Sequence, residues 1–341
     1  MTFIALLLVT LITIGLNNRS TAKAESDDNL LNESLWSSAT ATTAAHGSAG
    51  VSLPRVKIYF LTSDNMIYVL NPGSSAFIQL GRVPKVANGN LIGMDFRVAD
   101  GNKNQVYGVT DKGNLILINL KNVSSGPTVL SALTPRFAGG FQSLMDFNPV
   151  VNALRLLGSN DQNFAVVNSN GGNLNTTAVQ TAATYAAGDV NAGVDPNMTG
   201  GAYTNNVVGA ANTIFYTIDY DLDTFCTIST KNATGSSNTG GGVFQTIGKV
   251  VNTSGSQINF NPTTDLDIYT DGNGKNFLVG INNETIFTID LSQINPNLAL
   301  GTTQNVVAKT VKIPAFLPAD SFIDIAITPF ISSTSTLGAS R

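Results

Sequence analysis

The chain has 341 residues, with one histidine, one cysteine and a formal net charge of −4. Because His46 lies in a polar stretch near the N-terminus, a domain that follows it has no imidazole, which excludes Ser-His-Asp catalysis and histidine-ligated zinc. The single cysteine, Cys226, excludes an intramolecular disulfide, and the lack of a basic patch argues against a nucleic-acid partner.

The first 24 residues have the pattern of a secretory leader. Residues 3–16 form an apolar run that is too short to span a bilayer comfortably. Ala22-Lys23-Ala24 follows as an A-x-A cleavage pattern before Glu25. The sequence therefore predicts a signal peptide over 1–24 and a secreted or cell-surface protein, with no membrane span after the signal is removed. A short membrane anchor is the alternative.

The rest of the chain divides into three parts. Residues 25–54 are rich in Ser, Thr and Ala and predict a flexible linker, and residues 331–341 predict a disordered tail. Between them, over 55–330, short runs of β-forming residues such as 57–61 and 66–70 alternate with turn sequences. No segment there shows a helical period over three turns, so we predict an all-β domain.

The predicted strands repeat. Copies of a short motif, in which apolar residues are followed by a small or acidic residue, an aromatic or apolar residue and a turn, start at residues 93, 144, 201, 257 and 325. About 50 residues that hold four short strands are the size of a propeller blade. The last copy has little chain after it, and the strands at 57–80 have no copy before them. We therefore predict a β-propeller of five blades, one of them closed by pairing of the N- and C-terminal strands. Six or seven smaller blades, or a β-sandwich or β-helix, are the alternatives.

Several of these runs are characteristic of a known family. The family resemblance rests on residues 93–96, 146–155, 185–206 and 214–224, together with Asn163. Over roughly 57–330 the chain resembles the secreted domain-of-unknown-function family 4394. The resemblance implies an exported, propeller-like β domain, found mostly in bacterial extracellular or cell-surface proteins, and it implies no reaction. Members often carry a C-terminal sorting tail, whereas residues 332–341 contain no apolar anchor.

Two groups of oxygen-bearing side chains are candidates for a metal site. In the first group the side chains alternate along a D-x-N-x-G-x-D-x-N segment and are Asp189, Asn191, Asp195 and Asn197. In the second group three aspartates alternate after a predicted strand, and they are Asp219, Asp221 and Asp223. Calcium is the expected ion, because it prefers several hard oxygen ligands. The alternative is that these residues build turns and face solvent.

A further set of polar residues consists of candidates for lining the central channel. Asp95 and Asp146 occupy the same place in two repeats, where another copy has Asn259, and Arg155 could pair with one of the carboxylates. Such a ring would suit a cation or sugar hydroxyls. The alternative, which we favour, is that each side chain bonds the backbone of a neighbouring strand. Asp265 and Asp267 are expected in a solvated hairpin.

These observations predict a non-catalytic extracellular binding or scaffold module whose ligand is a protein or a carbohydrate. No catalytic residue is assigned, and Cys226 is interpreted as a buried apolar filler. The alternative function is a calcium-dependent hydrolase, lactonase-like or glycosidase-like, that uses channel carboxylates and needs no histidine.

Overall fold

A computed structural model describes residues 51–168, 174–229, 241–295, 298–313 and 322–331. Within these ranges it has 21 β-strands and only short 3₁₀ turns between them, which confirms the all-β prediction. In the same ranges no helix is long and apolar enough to cross a membrane. The predicted signal peptide, the predicted tail after Ile331 and all but the last residues of the predicted linker lie outside them.

The two ends of the domain meet in one four-stranded antiparallel sheet. Its strands, in spatial order, are β21 (Phe322–Ile327), β1 (Ile58–Thr62), β2 (Met66–Leu70) and β3 (Phe77–Arg82). Tyr59 pairs with Ala326, so a strand from the end of the chain hydrogen-bonds to the first strand. The predicted pairing of the terminal strands is present.

Two further sheets are antiparallel meanders of four consecutive strands. The first contains β4 (Leu91–Asp95), β5 (Gln105–Thr110), β6 (Asn114–Asn119) and β7 (Thr128–Ala132). The second contains β8 (Ser143–Asn148), β9 (Ala153–Gly158), β10 (Asn163–Val167) and β11 (Thr176–Val179).

The remaining strands form one larger sheet built from two four-stranded antiparallel runs. The first run is β13 (Met198–Tyr203), β14 (Phe215–Asp219), β15 (Thr224–Ile228) and β16 (Val243–Val251), with the short β12 (Thr184–Tyr185) parallel to β16. The second is β17 (Asp265–Thr270), β18 (Asn276–Asn282), β19 (Thr285–Ile289) and β20 (Val306–Lys312). Among the described residues, the strand pairing that joins the runs consists of two parallel residue pairs, Val250 with Val306 and Val251 with Val307.

The first strand of each four-stranded unit is buried, and the last is partly exposed. Every residue of β4, β8, β13 and β21 is buried, whereas β3, β7 and β11 have no fully buried residue. The buried first strands contact one another in the cyclic order β4, β8, β13, β17, β21 and back to β4. The apolar clusters lie between neighbouring sheets; one of them joins Phe60 and Phe322 to Ile281 and Ile286.

Two sequence expectations need correction here. The copy of the repeat at 257–262 is not a buried first strand, because that position belongs to β17, where Leu266-Asp267-Ile268 alternates apolar and carboxylate side chains. Phe260 instead belongs to the preceding connection, where its N–H donates to Asp223. In addition, Leu53 packs against the core, so the packed domain begins before the predicted boundary at residue 55.

The closing strand β21 offers a direct test of the fold. Phe322 is 1% exposed and packs its ring against Phe60, Tyr68 and Phe77. Replacing a buried Phe by Ala removes these contacts and leaves a cavity, so Phe322→Ala is expected to lower the free energy of unfolding by about 3–5 kcal/mol. The measurement is urea denaturation followed by fluorescence or circular dichroism.

The matched control is Phe330→Ala, a few residues further along, because Phe330 is 37% exposed. That change is expected to cost less than about 1 kcal/mol. Equal effects of the two substitutions would contradict the closure of the sheet by β21.

Candidate functional site

Five aspartates lie on the buried first strands, and we call them the inner-strand aspartates. All are between 2% and 4% exposed: Asp95, Asp146, Asp265, Asp267 and Asp324. They occupy the strand that forms the inner edge of its sheet. Such an edge presents backbone N–H groups that no strand of its own sheet can bond.

The inner-strand aspartates bond these edge N–H groups across the boundary between sheets. On the first two boundaries Asp95 Oδ2 accepts from Phe147 N at 2.9 Å, and Asp146 Oδ2 accepts from Tyr203 N at 2.7 Å. Each carboxylate thus supplies the hydrogen-bond acceptor that the carbonyl of a further strand would supply at this edge.

The same arrangement joins the last sheets of the ring. Asp265 Oδ2 accepts from Ile325 N at 2.9 Å, and Asp267 Oδ2 accepts from Ile327 N at 2.6 Å. Asp324 Oδ1 accepts from Met94 N at 3.1 Å and so links the closing strand to β4.

The boundary between β13 and β17 uses a hydroxyl group. Thr199 Oγ1 donates towards the backbone oxygen of Thr264, 2.8 Å away. Gly200 lies beside it at φ 35°, where an added Cβ would stand 2.6 Å from Asp265 Cα. A glycine is therefore required for the two strands to approach this closely.

Three of the carboxylates meet at the centre of the ring. One oxygen from each of Asp95, Asp146 and Asp267 lies within 4.8 Å of the others. Like charges this close disfavour the ionised form of each group, so a proton on one of them relieves the repulsion.

Burial dominates the titration of these groups. It raises the pKa of Asp95 and Asp146 well above the ordinary value, and the neighbouring carboxylates raise both further. Burial likewise raises the pKa of Asp265 and Asp324, and it raises the pKa of Asp267 to about 6. The centre therefore holds protons at a pH where exposed aspartates are ionised.

The other predicted channel residues lie elsewhere. Asn259 precedes β17, and its backbone oxygen accepts from Asn282 Nδ2 at 2.9 Å. Arg155 is buried on β9, where Nε donates to Tyr203 Oη at 2.6 Å and Nη1 donates to Asn163 Oδ1. Neither of these two acceptors is an inner-strand aspartate.

The first candidate calcium segment is bonded to β16. Asp189 Oδ2 accepts from Thr246 N and Oδ1 from Thr246 Oγ1, both at 2.7 Å, and Asn191 Nδ2 donates to Thr246 Oγ1 at 2.9 Å. Asn197 Nδ2 donates to Asp221 at 2.9 Å, whereas Asp195 is exposed. The oxygens of Asp189 thus face protein donors.

The second candidate group spans a hairpin turn and does not share one strand face. β14 ends at Asp219 and β15 begins at Thr224. Asp219 accepts from the N–H groups of Asp221 and Leu222 and from Tyr185 Oη at 2.6 Å, while Asp221 is exposed. This geometry places the three carboxylates in separate environments.

The last member of that group, Asp223, bonds the connection before β17. It accepts from Phe260 N and Gln257 Nε2, both at 2.8 Å. Nearby, Cys226 is fully buried, and burial raises the pKa of its thiol to about 12, so it stays protonated. That agrees with the interpretation of Cys226 as a core residue.

Sequence reasoning missed Asp265, Asp267 and Asp324 as members of the ring. The expectation of a solvated hairpin at Asp265 and Asp267 is wrong, since both are buried on β17. The signal lay in the alternation of aspartate with apolar residues in Asp265-Leu266-Asp267-Ile268 and Ile323-Asp324-Ile325. On a first strand, that alternation points carboxylates at the neighbouring sheet.

The architecture defines an all-β domain with aspartates at the boundaries between its sheets. The chain belongs to the family described as "Domain of unknown function (DUF4394)", whose model matches residues 75–308. This confirms the resemblance found in the sequence. No curated protein matches the chain significantly.

Solved structures show distant likenesses. A Bacteroides thetaiotaomicron protein of unknown function has a TM-score of 0.44 at 13% identity, over 65% of this chain and 53% of its own length. A luciferin-regenerating enzyme has a TM-score of 0.37 at 12% identity, over 76% of this chain and 73% of its own length. The Cps50 (Swd1) β-propeller domain of Myceliophteria thermophila has a TM-score of 0.36 at 11% identity, over 77% of this chain and 74% of its own length.

The raised pKa values of the central carboxyl groups predict how stability depends on pH. Their protonated forms favour the folded state, so this contribution is complete below the unfolded pKa of about 4 and is lost as the pH rises through the folded pKa values. For Asp267 that value is about 6. The free energy of unfolding is therefore expected to be larger near about pH 5 than near about pH 8, as measured by urea denaturation across that range.

Asp146→Asn tests whether the central carboxyl groups cause this pH dependence of the free energy of unfolding. The amide oxygen can still accept from Tyr203 N, and the amide N–H₂ can donate to Asp95 as a protonated carboxyl does. The decline in stability towards high pH is expected to become smaller in this variant. The exposed Asp195→Asn is the control and should follow the wild-type curve; identical slopes in all three proteins would contradict the assignment.

Proposed function

We propose that the chain is an exported five-bladed β-propeller that acts as a non-catalytic binding or scaffold module outside the cell. Five antiparallel four-stranded units support this blade count, with β13–β16 and β17–β20 taken as separate blades. The two residue pairs between β16 and β20 are a minor contact beside the pairing within each blade. The cyclic contacts of the five first strands and the pairing of β1 with β21 fit a closed ring.

The observation that carries the non-catalytic role is the use of the inner-strand aspartates. Asp95, Asp146 and Asp267 each accept a backbone N–H from the next sheet. Burial raises the pKa of these groups and so disfavours their ionised form, whereas a nucleophile or general base must be ionised and reach its substrate. These side chains therefore serve as bonds between blades, which gives a rigid ring whose surface is available for binding.

One observation favours the alternative of a calcium-dependent hydrolase. The oxygens of Asp95, Asp146 and Asp267 within 4.8 Å of one another are close enough to share a cation. In that case calcium would replace the protons, and the carboxylates would be available to act on a lactone or a glycoside. The two functions differ in what calcium does, and this difference can be measured.

The test is to measure melting temperature and hydrolysis with and without millimolar calcium, using aliphatic lactones and p-nitrophenyl glycosides as substrates. We expect no calcium-dependent turnover and no shift in melting temperature, because the carboxyl groups are already satisfied by protein donors and protons. Asp146→Asn is the matched variant for the centre, and Asp189→Asn for the loop before β13.

Calcium-dependent hydrolysis that disappears in Asp146→Asn would overturn the non-catalytic role. A calcium-dependent rise in melting temperature that disappears only in Asp189→Asn would instead place a structural ion in the loop and leave the binding role intact.

Export is the second part of the proposal and rests on the apolar run at 3–16 and the pattern Ala22-Lys23-Ala24. When the whole chain is expressed in a host with a secretory pathway, the secreted protein is expected to begin at Glu25, because signal peptidase requires small residues before the cleaved bond. Mass spectrometry of the secreted protein gives its N-terminus.

Ala24→Arg is the control, since a large charged side chain at that place should block cleavage. A wild-type protein that is uncleaved and held in the membrane would support the short anchor instead.

A further inference from the structure

Exposed apolar side chains lie on the face of the domain at which the first strands end. Phe330 follows β21 and is 37% exposed, and Val208 follows β13 and is 61% exposed. The hairpin between β17 and β18 connects these two segments. Asn276 Oδ1 in this hairpin accepts from Asn205 N at 2.8 Å, and a Cβ added at Gly272 in its turn would stand 2.9 Å from the Phe330 ring. The three segments therefore form one continuous surface.

Two lysines border these apolar side chains. The backbone oxygen of Lys57 accepts from Thr328 N at 3.0 Å, two residues before Phe330, and Lys275 ends the turn between β17 and β18. Both lysines are exposed, and among the described residues neither forms an ion pair with a carboxylate. The carboxylate of the same turn, Asp271, accepts from backbone N–H groups of that turn. We call Phe330, Val208, Lys57 and Lys275 the Phe330 patch.

The patch suits a partner that combines carboxylates with apolar side chains, since charge complementarity selects the sign of the partner and the exposed ring gains from being covered. Lys275 Nζ lies 4.9 Å from the centre of the Phe277 ring, a contact that orients the ammonium group and leaves its charge uncompensated. At the opposite face, the turns between second and third strands carry exposed charges of both signs, at Asp221, Glu284 and Lys112. Charge therefore favours the Phe330 patch for an acidic partner.

This chain contains a segment of that chemistry. Residues 25–36, ESDDNLLNESLW, lie outside the described residues and combine four carboxylates with three leucines and Trp36, without a lysine or arginine. Residues 37–50 connect the segment to Val51 and span about 46–50 Å when extended. Lys57 is at most about 22 Å from Val51 along the chain. The segment can therefore reach the patch, and so short a tether gives it a high effective concentration there.

We propose that residues 25–36 dock on the Phe330 patch of the same chain. Trp36 and the leucines pack against Phe330 and Val208, and the carboxylates lie beside the two lysines. The predicted linker then consists of a docking part and a tether, residues 37–50. The proposal rests on the binding role given above and names a face for it, because a ligand of this face must displace the segment.

Trp36 reports directly on this docking, because it is the only tryptophan of the chain. The experiment is quenching of tryptophan fluorescence by acrylamide in the full secreted protein, with a synthetic peptide of residues 25–50 as the reference. We expect several-fold weaker quenching in the protein, since a docked indole ring is shielded from the quencher. Quenching as strong as in the peptide would overturn the proposal. So would protection that vanishes on dilution, which would assign the segment to a second copy.

Lys57→Glu combined with Lys275→Glu is the decisive variant. Two glutamates in place of two lysines repel the acidic segment, so quenching is expected to rise to the level of the peptide. The matched control is Lys85→Glu combined with Lys112→Glu, which changes the net charge equally at exposed lysines of the opposite face. The control should keep the wild-type protection, and equal quenching in the two variants would overturn the assignment to the Phe330 patch.

Phe330→Ala keeps the test valid if the first variant does not fold, as judged by circular dichroism. It removes the apolar ring, keeps both lysines and is expected to cost little stability, as stated above. Quenching should increase several-fold in this variant, and wild-type quenching would overturn the docking. None of these results affects the binding role itself, which fails only if Asp146-dependent hydrolysis is found, and a failure of export is read separately from the N-terminus of the secreted protein.

Discussion

The structure depends on how the inner edges of its sheets are satisfied. A sheet whose first strand is buried at the centre of a ring has backbone N–H groups that neither water nor a further strand can bond, and each unmet group would cost a sizeable fraction of the stability of the domain. Aspartates on the neighbouring strand supply the acceptors, as with Asp95 at Phe147 and Asp146 at Tyr203. Where no carboxylate is present, between β13 and β17, Thr199 links the strands through its hydroxyl and Gly200 allows them to approach closely.

The use of aspartates at the boundaries between sheets brings several carboxyl groups close together. Bonding across the boundaries between sheets requires short acidic side chains at similar heights on several first strands, and the ring directs three of them to one place. The Coulomb repulsion of buried carboxylates is relieved by protonation, which is why the pKa values of Asp95 and Asp146 rise well above the ordinary value. The concentration of carboxyl groups at the centre is therefore a consequence of the architecture.

Some residues could be assigned from the sequence because their chemistry is local. The alternation of short β runs and turns predicts the strands, and the bonding of Asp95 and Asp146 to neighbouring backbone follows from their place in the repeat. Asn259 matches Asp95 and Asp146 in the sequence motif, whereas in the structure Asp267 makes the equivalent bond to the next first strand, at Ile327 N. Asp219, Asp221 and Asp223 alternate in the sequence, yet a turn separates them, and only the turn decides which of them is buried.

The sequence by itself determined the all-β class, the family, the meeting of the first and last strands and the lack of histidine chemistry in the domain, because composition and period-two patterns are properties of the chain alone. The tertiary structure decided which aspartates meet, since Asp95, Asp146 and Asp267 are far apart in the chain and become neighbours only when the ring closes. It also decided that Phe330 shares a surface with Lys57 and Lys275. Which side chains lie side by side depends on where other segments are placed, and no local pattern encodes that.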